Sequence, residues 1–286
     1  MLLKDIFANH LSIVKVTKRR STYDDYLKKY KLLNSALDDL KILNYDDLND
    51  TSYLRLIDHL KSTTTKKNSQ INAVTQTLIT ALNIQELPIK FKQFKLENDT
   101  THYRAIPEDE FNLFLNRILL EDLAYHQNMQ VVTALMIMID CGTRKSETLN
   151  ILTQNIDLYE QTIFLVKTKT KQRKIKYGSL SKDMIEVLYQ SRNKYLLTSN
   201  LADKPLHKSR VEKYLKELNE EFKFISGNVC CHRLRKTFAT KLMKAGCPIT
   251  SIQKILGHSD IKTTMVYLEV DNEVVTNDYD KFYPFK

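Results

Sequence analysis

No run of about 18 apolar residues interrupts the chain, which excludes a hydrophobic membrane-spanning helix. The first residues, Met1-Leu2-Leu3-Lys4-Asp5, lack the charged-then-apolar layout of a secretory signal. The four cysteines (Cys141, Cys230, Cys231, Cys247) show no CxxC spacing and no disulfide-like ladder. A disulfide scaffold is thereby excluded, and thiols packed in the interior of a protein in a reducing compartment are expected. Adjacent Cys230 and Cys231, even with His232, Cys247 and His258, fit poorly around one tetrahedral metal, so no metal site is expected. There is also no internal repeat and no low-complexity tract. The expectation is a cytoplasmic globular protein, since 286 residues with 42% hydrophobic content can fill the cores of two domains.

Charge is plentiful but unbalanced: 44 Lys and Arg against 34 Asp and Glu give a formal net charge of +10. Excess cations gain by displacing counterions from a phosphate backbone, which points to an anionic partner. With so many acidic residues present, the placement of the cations must decide whether that partner is nucleic acid.

The first hundred residues carry a helical period. Tyr23, Tyr26, Leu27, Tyr30, Leu33, Leu37 and Leu40 recur at three- and four-residue spacing after Ser21-Thr22, which can cap a helix. Similar stripes are Leu54, Ile57 and Leu60 after Asp50-Thr51, and Ile71, Val74, Leu78 and Leu82 after Asn68, with Leu3-Ile6-Phe7 at the start. Four helices are expected over residues 1–86. Basic clusters precede two of them, Lys18-Arg19-Arg20 and Lys66-Lys67, where helix N-termini and their loops can meet phosphates. Between Glu86 and Tyr103 the period fails, Pro88 intervenes, and Ile89 and Phe91 alternate with Lys90 and Lys92; residues 87–106 read as an extended basic linker.

A second domain is expected over residues 107–286. Pro107 suits the first turn of a helix, with Glu108, Asp109 and Glu110 favourable at its positive end. Val131 to Ile139 reads as a buried helix. Thr162 to Val166 and Arg173 to Tyr177, rich in β-branched and aromatic residues, predict a β-hairpin with lysines at its tip, and helices follow. Lys167, Lys169 and Lys171 alternate and would project to one side of a strand.

Four patches carry chemistry: Cys141-Gly-Thr-Arg144-Lys-Ser-Glu147, the hairpin lysines, His232-Arg-Leu-Arg235-Lys-Thr-Phe-Ala-Thr240, and Leu256-Gly-His258 set nine positions before Tyr267. His232 and Arg235 at i and i+3 share a helix face, while Leu234, Phe238 and Leu242 supply the core face. Singly, each has a plain structural reading: Arg144 as a cation at a helix C-terminus, His258 as a core histidine, Tyr267 as one of fifteen tyrosines. Phosphoryl transfer at a phosphodiester needs a nucleophile, charge stabilisation and an acid for the leaving oxygen, and together the patches offer all three.

In order, spacing and flanking residues, Pro107 to Leu268 closely resembles the tyrosine recombinase family, phage-type integrases of the short Xer-like form. The resemblance implies a mainly α protein with a small β-sheet and two domains, an N-terminal helical core-binding (SAM-like) domain and a C-terminal catalytic domain. It implies that Arg144 and Arg235 clamp the scissile phosphate, that His232 assists proton transfer, that His258 hydrogen-bonds a phosphate oxygen, and that Tyr267 attacks to give a 3′-phosphotyrosine. A hairpin lysine donates the leaving proton; the family's usual interval favours Lys169, with Lys167 next. Whichever of Lys167, Lys169 and Lys171 are not catalytic remain phosphate contacts. Glu147 orients its neighbours. The resemblance further implies double-stranded DNA as partner, a homo-tetramer on that DNA, accessory DNA-bending or directionality proteins in some systems, no cofactor, and a role in integrating a mobile element or resolving dimers. A tail from Asp271 to Lys286 would dock on a neighbouring protomer or on its own domain. No segment suits a separate arm-site-binding domain. Departures are Lys236, where many relatives carry a second histidine, and Thr143 and Lys145 around the first arginine; none removes a reacting group. Two other readings share these residues, a non-catalytic DNA-binding regulator and a type IB topoisomerase.

Overall fold

A computed structural model of the chain describes residues 1–97, 104–121, 126–166, 172–199, 204–261 and 264–265. The chain forms two compact units, Met1–Thr101 and His102–Lys286, each with its own apolar core.

The first unit is built from α1 (Leu3–Thr17), α2 (Arg20–Asp39), α3 (Asp50–Thr63) and α4 (Asn68–Ile84). Its core is the one the helical period predicts: Leu3, Ile6 and Phe7 of α1 meet Tyr30, Leu33 and Leu37 of α2 and Ile71, Val74, Leu78 and Leu82 of α4. Two details differ. The buried stripe of α3 runs through Tyr53, Leu56, Ile57 and Leu60, leaving Leu54 at the surface, because that is the face packed against α2 and α4; the helix is entered at Asn49. That side chain accepts from the Ser52 backbone N–H at 3.0 Å, while the Asn49 N–H donates to the Ser52 hydroxyl at 2.8 Å. The helix α2 begins at Arg20, which places Ser21 and Thr22 inside its first turn rather than before it.

Residues 87–97 contain neither helix nor strand. They lie along the first unit, with Phe91 buried and stacked on Tyr53 at 4.3 Å between ring centroids. Asn72 of α4 bonds both the N–H and the carbonyl of Leu96.

In the second unit α5 (Glu108–Leu119) leads to α6 (His126–Cys141), and every residue from Gln130 to Ile139 is buried. A helix apolar on all sides belongs at the centre. Packed around α6 are α7 (Lys145–Thr148), α8 (Ser179–Tyr189), α9 (Lys208–Phe222) and α10 (Cys231–Lys244); α11 (Ile249–Leu256) rests on α10. Near its end α6 also fixes the start of α8, since Asp140 Oδ2 accepts from the Gly178 N–H and the Ser181 hydroxyl, both at 2.7 Å.

The β-hairpin is present as β2 (Thr162–Leu165) and β3 (Arg173–Lys176), paired antiparallel with Ile163 opposite Ile175 and Leu165 opposite Arg173. A two-residue strand, β1 (Ile156–Asp157), adds a third to the sheet; two residues are too short to show a period of two in sequence. Ile163, Leu165 and Ile175 face the core, whereas Lys174 and Lys176 face solvent. Among the cysteines, Cys141 is buried and the other three are half-buried.

Candidate active site

Arg144 is delivered by the end of α6. The helix stops at Gly142, whose φ of +59° is the left-handed region that glycine tolerates and whose missing Cβ would sit 2.2 Å from the Phe238 ring. The turn then closes on a 2.6 Å hydrogen bond between the buried hydroxyls of Thr143 and Thr148. Arg144 follows in extended backbone at the N-terminus of α7. Its backbone N–H donates to Glu147 Oε2 at 3.0 Å and its guanidinium to Glu147 Oε1 at 2.9 Å.

Arg235 comes from the buried side of α10 and is 1% exposed. Its Nη1 donates to the Gly142 carbonyl at 2.7 Å and its Nη2 to the Leu256 carbonyl at 2.6 Å. Nη2 also lies 2.9 Å from His258 Nε2, and Nη1 lies 3.9 Å from Glu147 Oε2. The neighbouring Arg233 is equally buried but serves another side of the helix. It donates to the carbonyls of Arg104 and Gly227 and to the Ser226 hydroxyl. Of the two arginines in His232-Arg-Leu-Arg235, one braces the domain's own loops and the other joins the cluster.

His258 is placed by α11, which ends at Gly257 with φ +68°. An arginine cannot accept a hydrogen bond, so His258 Nε2 accepts from Arg235. The proton therefore resides on Nδ1, which lies 2.9 Å from the Thr264 hydroxyl. Burial, then the positive charges of Arg235, Arg144 and Arg173, bring its pKa down to about 4, so the ring is neutral at pH 7.

Beneath these groups sits Glu147, 2% exposed. Burial pushes its carboxyl up, but hydrogen bonds from Arg173 and from the Arg144 backbone and side chain outweigh that and hold it at about 2. Arg173, on β3, donates from Nη1 and Nη2 to the two carboxylate oxygens at 3.1 and 2.9 Å and from Nε to the Ile255 carbonyl at 2.9 Å. By its motifs alone the sequence marks Arg173 only as part of a strand. A finer signal is there: alternation puts Arg173 on the same face as Ile175 and Tyr177, and an arginine on the buried face of a strand needs a buried anion.

His232 opens α10 on its exposed side, and it lines a cleft of about 500 Å³ together with Arg144, Arg235, Lys145, Cys230 and Cys231. Arg144, His232, Arg235 and His258 are thus brought to one place. Tyr267, Lys167, Lys169, Lys171 and the tail from Asp271 to Lys286 lie outside the described residues.

In the first unit, Lys18, Arg19 and Arg20 are exposed at the α1–α2 junction, and Lys66 and Lys67 at the start of α4. The strand-like bridge Leu2–Asn44 and the hydrogen bond from Tyr45 Oη to the Pro88 carbonyl bring the start of α1, the end of α2 and the end of α4 together. Both basic clusters therefore fall at the opposite end of the bundle. Arg20 also pairs with Asp24 at 3.1 Å.

Residues 106–273 match the phage integrase family. Similar over nearly their full lengths are the integrase/recombinase of Acholeplasma phage L2 (26% identity, 92% of this chain and 93% of that one) and the tyrosine recombinase XerC of Pediococcus pentosaceus (25%, 99% and 98%). The fold is similar to that of the Tn1549 transposon integrase in complex with transposon right end DNA, with a TM-score of 0.79 over 99% of this chain and 100% of that one at 18% identity. A lambda integrase dimer bound to a core site gives 0.70 over 93% and 95% at 14% identity. The chain belongs to the phage integrase family: it is a tyrosine recombinase, of the enzyme class that cleaves and rejoins DNA.

Proposed function

We propose that the chain is a site-specific integrase that cuts duplex DNA through Tyr267 and a 3′-phosphotyrosine, acting on a mobile element. The observation that carries this reading is the convergence of Arg144, Arg235 and His232 on one cleft, with His258 bonded to Arg235 behind it and Tyr267 nine positions beyond His258. Two guanidinium forks match the non-bridging oxygens of a phosphodiester and stabilise the charge that grows there. A tyrosine with an ordinary pKa near 10 is a weak nucleophile at pH 7, and the cationic cluster favours its phenolate. Its oxygen attacks phosphorus, the bond to the 5′ oxygen breaks, and Lys169 (or Lys167) supplies the proton that makes a 5′-hydroxyl; His232 takes up the tyrosine proton. The ester conserves the bond energy, so a 5′-hydroxyl from a second duplex reverses the step and seals the exchanged strand. For His258 to donate to the phosphate, its proton must move to Nε2; the Thr264 hydroxyl, able to donate or accept, then donates to Nδ1.

Lys18, Arg19, Arg20, Lys66 and Lys67 at one end of the first unit support its role as a clamp on the duplex, with Lys167 and Lys171 contacting phosphates near the cut. Exchange of paired strands calls for a homo-tetramer on DNA, and accessory bending or directionality proteins fit the same scheme. Similarity to a phage and a transposon integrase favours a mobile element; similarity to XerC over nearly the whole chain favours dimer resolution as the second reading.

The test uses a core site selected from a random duplex library by binding to the chain, then nicked so that cleavage traps the covalent adduct. The wild type is expected to form the adduct and Tyr267→Phe to form none. An adduct with Tyr267→Phe would move the nucleophile to another tyrosine, such as Tyr279 or Tyr283. Arg235→Ala is expected to bind the site yet not cut it, since affinity is spread over many phosphate contacts.

A further inference from the structure

Arg173 joins three segments that sequence keeps apart. It stands on β3, the strand that returns from the hairpin; its fork grips both oxygens of Glu147, which in turn holds Arg144 through backbone and side chain. Its Nε holds the carbonyl of Ile255, three residues before His258. The side chain is 9% exposed, and it fills the space that a Cβ on Gly257 would occupy, 2.7 Å from Nη1. Gly257 therefore meets two demands, a left-handed backbone and room for this guanidinium.

We propose that Arg173 is a positioning residue for strand cleavage. It locks the Arg144–Glu147 turn against the Ile255–His258 turn, so that Arg144, Arg235 and His258 present one preformed phosphate site. Charge alone does not suffice for this role. A lysine offers a point charge that cannot grip both carboxylate oxygens in a planar fork and reach the Ile255 carbonyl as well. The proposal rests on the recombinase reading of the site, and two measurements separate them.

The first needs no DNA. In the free chain, NMR of the arginine Nε–H groups follows Arg144 and Arg235 directly. Arg173→Ala and Arg173→Lys are expected to shift and broaden both signals; unchanged signals in both variants would overturn the proposal, whatever the chain does to DNA. The second is single-turnover cleavage of the selected nicked duplex at saturating protein, made with either the natural 5′-oxygen or a 5′-bridging sulfur leaving group. A sulfur leaving group does not need the lysine's proton. Arg173→Ala is expected to slow cleavage about tenfold to hundredfold, the scale of an ångström-level misplacement, equally for both leaving groups, with affinity held within about twofold because many other contacts carry it. Arg173→Lys should recover only part of the rate.

Loss of rate that the sulfur substrate erases would assign Arg173 to the hairpin lysine and overturn the proposal. Full recovery by Arg173→Lys would do the same. If the wild type forms no adduct while the arginine signals respond as expected, the proposed cleavage reading of the site fails while the holding of Arg144 and Arg235 by Arg173 stands. Should the alanine variant melt below the assay temperature, Arg173→Lys alone decides on both readouts.

Discussion

At the residue scale the site is governed by how one buried carboxylate and its arginines share charge. Glu147 has its pKa lowered from the ordinary 4.5 to about 2, so its ionised form favours the fold. The stabilisation it brings is fully present above pH 4.5 and is lost as the pH falls toward 2. Glu147→Gln should cost about 3–5 kcal/mol near pH 7, because it leaves buried guanidinium groups without their counter-charge. Thermal melts against pH should show that difference shrinking between pH 4.5 and 2; a gap that stays constant would mean that the carboxylate's charge does not stabilise the fold. His258 moves the opposite way in charge. Its pKa falls from 6.5 to about 4, so the neutral ring favours the fold, and the associated stability is present above pH 6.5 and lost as pH falls to 4. An NMR titration of the His258 ring should find a midpoint near 4, and one lower still in Glu147→Gln, where the nearby negative charge that raises it is gone. A midpoint at or above the ordinary 6.5 would show that burial and the neighbouring arginines do not disfavour the imidazolium.

At the scale of elements, the helix α6 and the turn after it decide where Arg144 stands. Gly142 combines positive φ with a contact that admits no Cβ, and its carbonyl accepts from Arg235. Gly142→Ala should lower stability by about 1–3 kcal/mol through overpacking against Phe238 and slow cleavage, as read by melting temperature and adduct formation. Adding Phe238→Leu should return part of the stability and leave the cost of backbone strain; no recovery would show that strain alone is responsible. Elements with a long period are legible in the sequence. Tyr30, Leu33 and Leu37, and Ile71, Val74, Leu78 and Leu82, pack as their spacing predicts, since a helix that buries one face must repeat apolar residues at its own pitch. Local caps are less legible. Asn49 rather than Asp50-Thr51 caps α3, and packing against α2 and α4 buries Tyr53 and Leu56 in place of Leu54, a choice between adjacent apolar residues that spacing alone does not make.

At the scale of the whole molecule, two cores give two units, and a net charge of +10 gives both a reason to bind an anion. If the basic end of the first unit meets phosphates, the logarithm of DNA affinity should fall linearly with the logarithm of salt concentration. Replacing Lys18, Arg19 and Arg20 by alanine should make that slope shallower by about 1 per residue lost from contact. A slope that does not change would remove this end of the bundle from the interface. The spaced motifs, through their resemblance to a known family, and the apolar period make the family, the helical character and the hairpin legible, and they single out Arg144, His232, Arg235 and His258 as candidates, because each leaves a trace along the chain itself. What folding alone decides is which groups share a charge. Glu147 and Arg173 are 26 positions apart and belong to different elements, and nothing in the spacing of the motifs shows that Arg173 is the cation that grips this carboxylate. Such pairing is set by the approach of α6, β3, α10 and α11 in space, where burial makes an anion and its cations find one another or forgo the fold.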